Sequence, residues 1–256
     1  MSSSRPAWAG LPSTDVIGTA CTVTTREELL PLLEKEAAHG PWSIDFTNVQ
    51  IVTMRRTEPP FCEITSRVDA FIPDSEVLRW AVNWRGGNMT ERVYGPDFLT
   101  YVIRHSSPAT KHYFLGGSAE CLSALLKNIT DINPEFRVVG SRDGYFTAEQ
   151  NEEIVADILS AAPDFVWVGL GTPKQQAWIH QNKDRFPHGV LLAVGFAFDV
   201  NAGTKKDAPR WLQRCGLTWV FRLLSEPRRL FWRYLKYNSL FLWHLFHQKR
   251  EPISST

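Results

Sequence analysis

The sequence predicts an α/β fold: a Rossmann-like, mostly parallel sheet with helices on both faces, followed by a basic aromatic C-terminal helical appendage. Three observations predict it. Short apolar segments of strand length alternate along the chain with segments of helical period, the order that builds parallel strands joined by crossover helices. Several of those apolar segments run into turns of small and polar residues, and such sheets bind ligands beyond the carboxyl ends of their strands. Near Lys205 the character changes, with eleven Lys and Arg between Lys205 and Arg250 against Asp207 and Glu226. The formal net charge of +1 over 256 residues therefore hides a segment near +9 and a remainder near −8.

Taken in order, the residues MSSSRPAWAGLPST are small and polar and read as a flexible leader over 1–14, without the apolar stretch of a signal peptide. Strands are expected at Trp42 to Phe46, Ala70 to Pro73, His112 to Leu115, Phe136 to Val139, Phe165 to Val168 and Val190 to Val194. Helices are expected at Arg26 to Ala38, Ala119 to Ile129 and Ala148 to Ala161, the last opened by a capping box from Thr147 to Gln150. One core fits this length, assigned to 15–207, with a soft boundary at Asp207 to Trp211, an appendage over 208–248 and a flexible tail over 249–256. Cys21, Cys62, Cys121 and Cys215 are scattered, with no CxxC pair and no His at metal-ligand spacing, so reduced cytoplasmic thiols are expected and no metal site. No apolar run approaches the roughly 20 residues of a spanning helix, and any membrane contact is expected to be peripheral.

The loops after the strands carry the candidate chemistry: Thr47-Asn48, Asp74, Gly116-Gly117-Ser118, Gly169 to Gln175, and Gly195 to Asp199. Asp74 ends the segment AFIP, where its carboxylate either addresses a ligand hydroxyl or caps the helix expected over Ser75 to Trp84. Asn48 and Thr47 either contact a ligand or close a turn. Gly116, Gly117 and Ser118 form a small-residue turn before a helix, which holds an anion or is simply a tight connection. Gly169, Gly171 and Lys174 open like a dinucleotide fingerprint, but the third glycine and the spacing of a Walker loop are missing. Arg92 can grip a diphosphate bidentately or pair with Glu91 or Asp97 on the surface, and Asp199 is a site residue or a carboxylate closing the loop to Gly203. No D-x-D dyad occurs, so a reaction without metal or cofactor is expected, with Arg, Lys and backbone N–H groups balancing phosphate charge.

In the tail, Pro227 suits the first turn of a helix on which Arg229, Arg233 and Lys236 form a basic face, with Leu230, Tyr234, Phe241 and Leu245 on another. Three roles compete: a helix on an anionic membrane surface, a helix packed on the core or a partner subunit, and a nucleic-acid patch. The apolar content favours the first and argues against nucleic acid.

The succession GLGTPKQQAW, GFAFDVNAG and AP-WLQRCGL-W-RLL-EPRRL resembles the WecG/TagA/CpsF group of bacterial glycosyltransferases, family 26, and the likeness runs from about Asp15 to Leu235. The resemblance implies a Rossmann-like transferase, distinct from the two commonest transferase folds. It would move a hexosyl unit, N-acetylmannosamine being the commonest case, from a UDP-sugar donor to a polyprenyl-diphosphate-linked acceptor in surface-polysaccharide assembly. It assigns Asp74, in IPDS, as catalytic base, with Ser75 where glycine is usual, and places Arg92, in ERVYGPD, and Gln175, in P-x-Q-E, at the active site. Asn48 matches the Asn of a T-x-N segment, while the relatives' Thr falls on Phe46, leaving Thr47 as its neighbour. Gln176 replaces a glutamate, Asp199 matches the FD element, and Asp207 stands where Arg is usual. The appendage is implied to bind the inner face of the plasma membrane and to bring Arg222 and Arg229 to the donor. An inactive scaffold, or less readily an NAD-dependent oxidoreductase, is the alternative, and a homo-oligomer stays open.

Overall fold

A computed structural model describes residues 6–248; the expected tail over 249–256 and the first residues of the expected leader lie outside them. Eight strands, β1 (Ser13–Val16), β2 (Thr19–Thr22), β3 (Trp42–Thr47), β4 (Ala70–Pro73), β5 (His112–Gly116), β6 (Val138–Arg142), β7 (Phe165–Gly169) and β8 (Val190–Ala193), form one sheet in the order β1-β2-β4-β3-β8-β7-β5-β6. The β1–β2 pair is antiparallel and the other neighbours run parallel. The helices are α1 (Arg26–Glu36), α2 (Val49–Thr57), α3 (Pro59–Ile64), α4 (Glu76–Trp84), α5 (Gly95–His105), α6 (Ala119–Ile132), α7 (Asn151–Ala161), α8 (Lys174–Asn182), α9 (Ala197–Asn201), α10 (Arg210–Arg214), α11 (Thr218–Ser225) and α12 (Pro227–His247).

Both faces of the sheet are covered, which is why β8 (VLLA) and β7 (FVWVG) are almost wholly apolar, whereas β3 buries Ser43, Asp45 and Thr47 among its apolar residues. Alternate residues serve opposite cores: Phe165 and Trp167 pack with Phe98 and Phe114, while Val166 and Val168 pack with Leu115, Ile154 and Trp178. Strand order then decides the site. Because β4, β3, β8 and β7 are consecutive neighbours, the residues that follow them share one stretch of rim, and those after β5 stand one strand beyond it.

The expected strands and helices recur with small shifts, and two expectations need correction. The leader is not free along its length: Trp8 is 2% exposed, sits in a short 3-10 turn and meets Trp42 edge-on at 5.5 Å, and the β1–β2 hairpin begins at Ser13. One large ring and a strand ladder outweigh a polar composition there. The strand expected at Phe136 begins instead at Val138, because the Phe136 ring is stacked on His112 at 4.0 Å and serves the core from a turn. The capping box at Thr147 does form, with the Thr147 N–H donating to Gln150 Oε1 at 2.9 Å, although a 3-10 turn precedes α7.

The appendage docks on the core. α12 crosses α2, so that Tyr237 joins Ile51, Met54 and Phe61 while Phe241 and Leu245 enter the main core. Tyr237 Oη and Lys236 Nζ both donate to Glu58 Oε1, at 2.6 and 2.7 Å. The buried face is thus Leu230, Tyr237, Phe241 and Leu245; Tyr234, expected among them, stands beside Trp219 instead. Phe231, Trp232, Leu235, Leu242, Trp243 and Phe246 remain exposed on the same helix. Among the described residues no helix is long and apolar enough to cross a membrane.

Candidate active site

A cavity of about 360 Å³ opens between the rim of β4, β3, β8 and β7 and the appendage. Its rim side carries Phe46, Asn48, Asp74, Tyr94, Gly171, Gln175 and Gly195, and its appendage side Trp219, Arg222, Arg229, Arg233 and Tyr234. Arg92 lies at one edge.

Asp74 follows β4, and the cap of α4 is supplied by its neighbour: Ser75 Oγ accepts from the Leu78 N–H at 3.3 Å. That leaves the Asp74 carboxyl for the cavity. Ser75 has φ −101°, ordinary extended backbone, so its position does not require a glycine. Asp74 Oδ1 accepts from the Gly95 N–H at 2.7 Å, the first amide of α5, and its main-chain oxygen accepts from Arg92 Nη1 at 2.9 Å. Enclosure by protein pushes the carboxyl up to about 6, and the Asp45 charge adds to the rise, while Arg92, the Gly95 amide and Arg222 pull it down. A base poised near neutral pH is what proton abstraction from a hydroxyl calls for.

Arg92 is clamped. Its Nη2 donates to Gln213 Oε1 at 2.6 Å and its guanidinium lies 4.0 Å from the Tyr94 ring centroid. Gln213 Nε2 donates to Asp207 Oδ2 at 2.9 Å, and Tyr94 Oη donates to Asp207 Oδ1 at 2.8 Å. Asp207 is therefore the hub that ties α10 to the rim. The surface pairing of Arg92 with Glu91 or Asp97 does not occur among the described residues.

Gln175, 2% exposed, turns its Oε1 back to accept from the Gly171 N–H at 3.1 Å while still lining the cavity. Gly171 has φ +76° and open space where a Cβ would stand, so its backbone faces the cavity in a conformation that suits glycine. Beneath it, Gln176 Nε2 donates to the buried Asp45 Oδ2 at 2.8 Å, and Gln176 Oε1 has no partner. Asn48 caps α2, accepting from the Ile51 N–H at 3.2 Å, and also lines the cavity.

On the facing wall Arg222 lies 4.2 Å from the Phe196 ring centroid, and Arg229 bonds Glu226. Arg233 points a buried Nε at no partner. Its guanidinium is pulled below the usual arginine range first by burial and then by the Arg229 and Arg222 charges. Three cations on one wall make a receptor for a multiply charged anion. Among the described residues no three His, Cys, Asp or Glu side chains gather as a group that could hold a metal ion.

A family model described as "Glycosyl transferase WecG/TagA/CpsF family" matches residues 14–255. The chain belongs to that family.

Within this WecG/TagA/CpsF transferase the candidates divide by strand order. Asp74, Arg92, Gln175, Asn48, Gly171, Arg222 and Arg229 meet at the cavity. Thr47 does not: it is fully buried, its Oγ1 turned inward on Asp45. Gly116, Gly117 and Ser118 are also outside it, because β5 lies beyond the rim stretch, and Gly169, although it ends β7, does not line the cavity either. A Cβ on Gly116 would stand 2.5 Å from the Gly169 backbone and one on Gly169 2.7 Å from the Phe198 ring, so these glycines serve close packing, and Ser118 caps α6. Lys174 is exposed and outside the cavity. Asp199 closes its own loop, where its main-chain oxygen accepts from the Lys205 N–H at 3.2 Å and its carboxylate pairs with Lys205 Nζ at 3.8 Å. The residue that motif reading passed over is Arg233; its signal was the four-residue spacing from Arg229 on one helical face.

Proposed function

We propose that the chain is an inverting hexosyltransferase that carries a hexosyl unit, of the N-acetylmannosamine type, from a UDP-sugar to a polyprenyl-diphosphate-linked sugar in bacterial surface-polysaccharide synthesis, without a metal. Family membership sets the reaction class. The observation that carries the finer reading is one enclosed carboxyl, Asp74, sharing a cavity with three guanidinium groups, Arg222, Arg229 and Arg233. Asp74 takes the proton of the acceptor hydroxyl as that oxygen bonds the anomeric carbon; the bond from that carbon to UDP breaks, and its electron pair leaves with the β-phosphate oxygen. The three arginines stabilise the departing diphosphate, and Asn48 and Gln175 orient sugar hydroxyls. The exposed aromatic side of α12, with Arg228 nearby, would rest on the anionic inner face of the plasma membrane and so bring the cavity to a lipid-linked acceptor.

The test is UDP release in detergent from a panel of UDP-sugars, with and without a short-chain lipid-diphosphate sugar. Acceptor-dependent release with one donor supports the reading and identifies the donor; no release with any donor from folded protein overturns it in favour of a non-catalytic scaffold.

A further inference from the structure

A second cavity, also of about 360 Å³, adjoins the first and shares Glu76, Arg92 and Tyr94 with it. It is lined by Arg26, Arg79, Arg92, Arg210 and Arg214 against Glu76, Glu91 and Asp97. Most of these cations are already engaged: Arg79 Nε bonds Glu76 at 2.8 Å, Arg26 Nε bonds Glu27 at 2.7 Å, and Arg92 is clamped by Gln213. Arg210 and Arg214 differ. They stand one turn apart on α10, both exposed, and neither enters a hydrogen bond or an ion pair among the described residues.

Two unpaired guanidiniums on the wall of a net-cationic groove match an anion with two charged centres. The donor's diphosphate has its own receptor in Arg222, Arg229 and Arg233, so a second such receptor calls for the second diphosphate of the reaction. We propose that this groove seats the acceptor's diphosphate, with Arg210 and Arg214 as its contacts and Arg92 marking the passage to Asp74. The proposal rests on the transferase reading. An acceptor sugar would then bridge the two cavities, its phosphate end among the α10 arginines and its reacting hydroxyl at Asp74. Asp207 gains a purpose in the same scheme, because through Gln213 it anchors the short helix that carries both arginines.

The experiment is isothermal titration of the full chain with a short-chain prenyl diphosphate and, separately, with UDP, for wild type, the double variant Arg210→Ala/Arg214→Ala and Arg222→Ala. Both α10 side chains are exposed, and circular dichroism checks that the double variant is folded. The expected result is a loss of at least about tenfold in prenyl-diphosphate affinity for the double variant, with UDP binding within about twofold of wild type and the reverse pattern for Arg222→Ala. Unchanged prenyl-diphosphate binding in the double variant, or no binding to wild type, overturns the proposal, and so does an equal loss for both probes, which would make the groove a nucleotide site. Because binding is read without turnover, the expected pattern together with failure to transfer from any donor would overturn the transferase reading and leave the groove as a diphosphate site.

Discussion

The rim of the sheet and the appendage face each other across one cavity; the rim's candidate residues are held by hydrogen bonds, whereas the appendage leaves Arg233 Nε without a partner. Asp74, Arg92, Gln175 and Asn48 each hold at least one hydrogen bond to the rim or to α10, at 2.6 to 3.2 Å. Opposite them, Arg233 Nε has no partner, and the Arg229 and Arg222 charges act against the Arg233 guanidinium. A bonded network holds its geometry without a ligand, which suits the group that must meet a proton in the right place. A wall of like charges is relieved only when an anion arrives, which suits the part that must grip and then release a diphosphate. On the proposed reading, the rim would set the chemistry and the appendage the affinity.

The strongest way to break that division is Asp74→Asn. It should lower kcat by roughly three orders of magnitude, within the range for loss of a general base, while UDP affinity by titration stays near wild type. Equal losses in both would place Asp74 in donor binding. Next, Arg222→Ala combined with Arg233→Ala should weaken UDP binding by about 10- to 100-fold, the scale of charge-assisted hydrogen bonds, with the unfolding midpoint hardly lowered because these groups repel one another. A large fall in melting temperature would show that the arginines hold the appendage in place.

The pH profile sharpens the rim side. A carboxyl raised to about 6 must be ionised to act as base, so kcat/KM should be level above that pH and fall about tenfold per unit below it. The limb should disappear in Asp74→Asn. For stability the sign is opposite: the raised value means that the fold favours the neutral acid, so this contribution is complete below the ordinary carboxyl value of 3.8 and is lost as pH rises through about 6. The smallest effect is expected at the outer face of α12. Trp232→Ser and Trp243→Ser, at residues 73% and 55% exposed, should change unfolding free energy by no more than about 0.5 kcal/mol while reducing sedimentation with anionic vesicles. Vesicle binding that survives both substitutions would remove the membrane role of that face.

Much of the fold was legible because it rests on local rules. The segment AFIP ends where β4 ends, the Thr147 box caps as its spacing required, and Pro227 opens α12. That Asp74 and Asn48 directly follow strands was legible, while Arg92, between α4 and α5, and Gln175, in α8, could be singled out only through the family motifs; all four line the cavity. The place of Thr47 was not legible, since one residue of register turns its hydroxyl from the rim to Asp45 beneath it. Nor was the role of Asp207: a lone acid in place of arginine gives no sign that Tyr94 and Gln213, distant in sequence, converge on it.

By itself the sequence determined the alternation of strands and helices, the transferase family and the residue types available for proton transfer and phosphate binding, because periodicity, turn chemistry and motif spacing are written into neighbouring residues. Only the tertiary structure decided which of those residues share a cavity. The strand order puts β4, β3, β8 and β7 side by side and leaves β5 outside, and the docking of α12 on α2, with α11 packed against α12, brings Arg229, Arg233 and Arg222 to the cavity that Asp74 lines. Those outcomes depend on long-range pairing and on the burial of Tyr237, Phe241 and Leu245, energies that belong to contacts between remote segments and have no local signature.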